Sequence, residues 1–141
     1  MKQVKKKVAK KTPLPILYAS RPAAGFPAPG DDLVEQTLDL NQLLIKQPAS
    51  TFFVRVEGDS MEGAGLSTGD ILVVDRSEEP KHGSIVVAAV FGELVVKRFS
   101  KKGKVVQLIS ENPRYEPIVI TSDEECFVWG VVIGMARTYF H

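Results

Sequence analysis

Ser84-Ile85-Val86-Val87-Ala88-Ala89-Val90-Phe91-Gly92-Glu93-Leu94-Val95-Val96-Lys97-Arg98-Phe99 is a pair of β-prone runs, 84–91 and 93–99, hinged at Phe91-Gly92. Branched aliphatic residues suit the pleated, half-buried surface of a strand, and glycine supplies the turn. Reading outward, Lys102-Gly103 leads into a third run at 104–109, and runs at 118–120 and 127–133 follow. Upstream, runs at 52–56 and 71–74 are punctuated by Gly69-Asp70 and Lys81-His82-Gly83. Seven short strands with turn residues between them predict a mainly β fold, a compact antiparallel domain.

The chain has 141 residues, 44% of them hydrophobic, which is enough for one domain with a core and too little for two of ordinary size. Its formal charge of +1 conceals a division at Ala24. Lys2, Lys5, Lys6, Lys7, Lys10, Lys11 and Arg21 precede Gly25 with no acid among them, so residues 1–24 carry +7 and the rest −6. Pro13, Pro15, Pro22, Pro27 and Pro29 exclude a continuous helix there. The expected organisation is therefore a basic, extended arm over residues 1–30 and a folded domain over 31–141. The arm lysines are either solvated charge or a weak contact to a polyanion, whereas the acidic body is a poor DNA ligand. Within 39–45 a short helical turn is expected, capped by Asp39 and stopped before Pro48.

Cys126 is the single cysteine, and no Cys/His metal spacing exists, so the sequence reads as a reduced, cytoplasmic protein without metal or cofactor. Pro15 interrupts the apolar stretch 14–19, which is too short for a signal peptide, and no run could span a bilayer.

Gly58-Asp59-Ser60-Met61 places a serine on a sharp turn at a strand end, where neighbouring N–H groups can converge on an oxyanion. A serine beside glycine is more often an ordinary turn residue, so Ser60 as nucleophile needs a base. His82 in a turn and His141 at the last position offer little. Lys97 shares a strand face with Val95 and Phe99, with Arg98 on the other, so it is either a surface lysine or a desolvated one. Desolvation is required: at an ordinary pKa near 10.4 only about one lysine in a thousand is neutral at pH 7.4. Cys126 reads as a small buried residue, 123–125 as a solvated acidic loop and Trp129 as core or dimer interface. Asp70 and Asp75 read as partners of turn backbone groups.

Gly58-Asp59-Ser60-Met61, Gly69-Asp70-Ile71-Leu72-Val73-Val74-Asp75 and Glu93-Leu94-Val95-Val96-Lys97-Arg98, in that order, resemble the catalytic domain shared by LexA repressors and UmuD proteins, the S24 family of self-cleaving serine peptidases. Ala24-Gly25-Phe26-Pro27 resembles the scissile segment, and the stretch from Val34 to Ile45 resembles UmuD in particular. The resemblance implies Ser60 as nucleophile and Lys97 as general base, an oxyanion held by the backbone N–H groups of Ser60 and Asp59, and cleavage at Ala24-Gly25. It further implies a homodimer in the DNA-damage (SOS) response, with cleavage promoted by the RecA-ssDNA filament. The shortened form would then support translesion synthesis by a Y-family polymerase subunit like UmuC. A LexA-like or phage-type repressor is the alternative, and it should carry a DNA-binding domain where 24 residues stand here. A non-catalytic β scaffold, or a signal-peptidase-like enzyme with a membrane anchor, are further rivals.

Overall fold

The computed structural model describes residues 13–19, 34–120 and 126–140. The Ala24-Gly25 bond, the lysine cluster of 2–11, the acidic run 123–125 and His141 lie outside the described residues. The chain divides into two units, Met1–Leu43 and Leu44–His141.

In the first unit β1 (Ile16–Tyr18) pairs antiparallel with β2 (Val34–Thr37), aligning Ile16 with Thr37 and Leu17 with Gln36. The segment expected to be merely extended is thus also paired. Pro13 and Pro15 precede the strand, where proline removes no ladder hydrogen bond. The predicted turn forms as α1 (Leu40–Leu44). Asp39 caps it, its Oδ1 accepting from the Asn41 N–H at 2.9 Å.

The second unit is a seven-stranded sheet comprising β3 (Thr51–Arg55), β4 (Ile71–Asp75), β5 (Ile85–Val90), β6 (Glu93–Lys102), β7 (Val105–Ile109), β8 (Ile118–Ile120) and β9 (Cys126–Ala136). Its order is β3-β4-β9-β5-β6-β7-β8, antiparallel throughout, so the fold is the mainly β one read from the runs. The last strand is the central one. Its first half pairs with β5 from Cys126 to Val131, and its second half pairs with β4 from Val131 to Ala136. Gly130 sits where these partners converge: a Cβ there would lie 2.6 Å from Val74 Cγ1, so a larger residue would have to displace the Val74 side chain.

The sheet buries apolar residues in two clusters. Val56, Met61, Leu66, Leu72, Val74 and Val87 form one core cluster, and Val86, Ala88, Phe99, Leu108 and Val131 the other. Neighbours Val86 and Val87 belong to opposite clusters and are both fully buried, which is why β5 reads as a continuous apolar run. Cys126 is buried and reduced. Trp129 packs on the first cluster, tilted against Phe52 at 5.4 Å and covered by the Arg76 guanidinium at 4.6 Å.

Candidate active site

Ser60 lies on the turn between β3 and a 3-10 helix, Glu62–Ala64. Gly58 just before it has φ +89°, a conformation costly for any side chain with a Cβ. The turn is fixed from outside by the segment 110–115. The Asp59 carbonyl accepts from Asn112 Nδ2 at 3.0 Å, and the Gly63 N–H donates to the Glu111 carbonyl at 2.8 Å. A Cβ on Gly63 would lie 2.5 Å from that carbonyl oxygen, so the close approach itself demands glycine. Tyr115 donates its hydroxyl to Asp59 Oδ1 at 2.5 Å, and Arg114 stands 3.8 Å from Oδ2. The Tyr115 hydrogen bond, reinforced by Arg114, holds the Asp59 carboxyl below its ordinary value and raises the phenol in turn.

Lys97 stands on β6 opposite Val86 of β5 and is 7% exposed. Burial among aliphatic side chains pushes its ammonium pKa down, as desolvation does for any cation. Among the described residues, the hydrogen bond made by Lys97 Nζ goes to Ser110 Oγ at 2.7 Å, and the nitrogen lies 5.1 Å from the centre of the Tyr115 ring. Arg98, on the other face, reaches Glu111 at 2.8 Å and the Gly83 carbonyl at 2.8 Å.

Ser60 and Lys97 line one cleft of about 350 Å³, whose wall also includes Val54, Asp59, Val95 and Tyr115. The fold therefore brings a turn serine and a buried lysine, 37 residues apart in sequence, into the lining of one cleft. His82 is outside this cleft, accepting from the Lys101 N–H at 3.1 Å through Nδ1. Asp70 accepts from the Ser67 N–H at 2.8 Å and from the Arg137 guanidinium at 2.7 Å, and Asp75 from the Ser77 N–H at 2.8 Å and from the hydroxyls of Ser50 and Ser77 at 2.7 Å. Ser110, Asn112 and Tyr115 were not singled out by sequence reasoning. The available signal was the Asn112-Pro113 turn dipeptide directly after a strand that faces Lys97.

No helix among the described residues is long and apolar enough to cross a membrane. A family model described as Peptidase S24-like matches residues 15–133. The chain is 44% identical over 117 residues to the protein ImpA of Escherichia coli, covering 82% of this chain and 79% of that one. It is 46% identical over 116 residues to SamA of Salmonella typhimurium, covering 82% and 80%. To the LexA repressor of Bordetella avium it is 34% identical over 145 residues, covering 96% and 68%. With a matching family pattern, UmuD-like and LexA relatives over most of its length and the antiparallel β fold, the chain belongs to the peptidase S24-like family, the LexA/UmuD family of self-cleaving serine peptidases.

Proposed function

We propose that this chain cuts its own Ala24-Gly25 bond, with Ser60 as nucleophile and Lys97 as general base. The observation that carries the reading is the common cleft, which a turn serine and a buried lysine both line. Neutral Lys97 takes the Ser60 proton, and Ser60 Oγ bonds to the Ala24 carbonyl carbon. The resulting oxyanion is held by the N–H groups of Ser60 and Asp59. Collapse breaks the Ala24–Gly25 C–N bond as the Lys97 ammonium returns its proton to the Gly25 nitrogen, and water then hydrolyses the ester at Ala24. Ala24 offers a methyl to a shallow pocket, and Gly25 permits backbone turns closed to other residues.

The UmuD-like relatives support a place in SOS mutagenesis. In that setting the protein is a cytoplasmic homodimer, and the RecA-ssDNA filament favours the conformer with the scissile segment in the cleft. The shortened form then supports translesion synthesis with a UmuC-like Y-family polymerase subunit. A second reading, a piece of a LexA-like repressor, draws on the Bordetella avium relative, whose match spans 96% of this chain. The higher identity to the shorter UmuD-like proteins favours the first.

Intact-mass measurement after incubation with RecA, ssDNA and a nucleotide tests both the chemistry and the bond. Wild type should yield a product starting at Gly25, and Ser60→Ala and Lys97→Ala should each yield none while remaining folded. Cleavage by Lys97→Ala at the normal rate would remove the base from this scheme.

A further inference from the structure

The β6–β7 hairpin is in unbroken register from Lys102 opposite Val105 to Arg98 opposite Ile109. One further step sets Lys97 opposite Ser110, the residue that follows β7. The pair is made: Lys97 Nζ and Ser110 Oγ are 2.7 Å apart, with Lys97 7% and Ser110 8% exposed. A buried hydroxyl and a buried amine at that distance are a directed contact, since a serine hydroxyl can accept an N–H and rotate to suit it.

The cleft's other ionisable side chains are Arg55, Glu57, Asp59 and Tyr115. Asp59 is engaged by the Tyr115 hydroxyl and Arg114, and among the described residues no carboxylate forms an ion pair with Lys97. Tyr115 presents its ring to the lysine at 5.1 Å. The hydrogen-bond acceptor for the Lys97 nitrogen is thus Ser110. A neutral lysine amine ends a stem of four flexible carbons and does not hold its lone pair in one direction unaided.

We propose that Ser110 is a positioning residue for Lys97: its hydroxyl holds one N–H of the amine so that the lone pair is available to the Ser60 hydroxyl, and it keeps accepting from the ammonium after proton transfer. This rests on the Ser60–Lys97 reading given above. No step is added to the reaction; the same proton moves from Ser60 to Lys97 and on to the leaving amine. Removing Ser110 Oγ has two separable effects. Misdirection of the lone pair lowers the rate even when every lysine is neutral, because small misplacements of a reacting group are costly. Loss of an acceptor disfavours the ammonium more than the amine, so the Lys97 pKa falls further. The alkaline plateau of self-cleavage therefore drops while the midpoint of its pH profile moves to lower pH. A merely structural role would lower the plateau and leave the midpoint in place.

The experiment follows self-cleavage of the full chain by intact mass from pH 7 to 11, with thermal melts at each pH. Ser110→Ala is expected to lower the plateau by about tenfold or more and to shift the midpoint down by about half a pH unit. Ser110→Thr keeps a hydroxyl and is expected to restore the wild-type midpoint. If Ser110→Ala melts below the assay temperature, Ser110→Cys replaces it, because a thiol fills the space and accepts only weakly. A wild-type plateau and midpoint in Ser110→Ala, or a lowered plateau with an unmoved midpoint, overturns the proposal. Lys97→Ala separates the two readings. If it is inactive while Ser110→Ala is unchanged, Ser110 alone is excluded; if it cleaves normally, the dyad is wrong and the role of Ser110 falls with it.

Discussion

Asp70 is 2% exposed yet charged, which is tolerable because Arg137 meets it with two hydrogen bonds, Nε to Oδ1 and Nη2 to Oδ2, each 2.7 Å. The same guanidinium donates to the Gly65 carbonyl at 2.7 Å, tying the end of β9 to the loop after the Ser60 turn. The Arg137 hydrogen bonds hold the Asp70 carboxyl at about 2, against an ordinary 3.8. A depressed carboxylate pKa stabilises the fold above the ordinary value and loses that contribution as pH falls through the folded one. Arg137→Ala should therefore destabilise the fold near pH 7, by less than for a fully buried pair because the Arg137 side chain is one-third exposed, 33%. The difference from wild type should shrink as pH approaches 2. Urea denaturation at pH 7 and pH 2.5 checks this, and an equal difference at both would refute the linkage. The aspartate was legible in the sequence as a turn residue; its arginine, 67 positions away, was not, because nothing local links them. Ser110 is an intermediate case. Gly103 marks the hairpin, and once Lys102 is set opposite Val105, counting back reaches Lys97 and Ser110. Ending the strand at residue 99 hid that count, since Lys101 and Lys102 look too polar for a strand although they stand exposed on it.

The turn that decided the fold also carries the one non-glycine residue of positive φ among the described residues. Phe91 has φ +48° and Gly92 φ +83°, the pair of positive angles of a type I′ hairpin turn. Gly92 adopts this freely, but a side chain with a Cβ pays about 1 kcal/mol there, and Phe91 is 72% exposed, so packing offsets little. Phe91→Asn should stabilise the protein by about 0.5–1 kcal/mol, raising the melting temperature by a few degrees. Differential scanning calorimetry tests it; a lower melting temperature would show that the ring is packed in solution. The strands themselves were legible because their alternation and turn glycines are local. Two features were not. The run expected at 127–133 continues to Ala136 past Gly134, because β4 is there to pair with it, Ile71 standing opposite Ala136. The β1–β2 pair joins residues about twenty apart across Pro22, Pro27 and Pro29, and three- and four-residue strands leave no period to read.

For the whole molecule, the decisive quantity is charge, and it follows from the sequence without reference to any contact. Seven basic residues and no acid precede Gly25, and eleven basic against seventeen acidic residues follow from it. Cutting after Ala24 converts a protein of formal charge +1 into one of −6. A chain with a clustered basic segment attracts polyanions, and a body of net negative charge repels them. The intact form is therefore expected to bind single-stranded DNA weakly and with salt dependence, and the processed form to bind almost none. Each lysine that neutralises a phosphate contributes about −0.7 to the log-log slope of affinity on salt for single strands, so several contacts give a slope of a few units. Fluorescence anisotropy with labelled single-stranded DNA at two salt concentrations, comparing the Ser60→Ala chain with the 25–141 product, measures it. Binding that is equal in the two forms and insensitive to salt would mean that the lysines serve only to solubilise the segment they occupy.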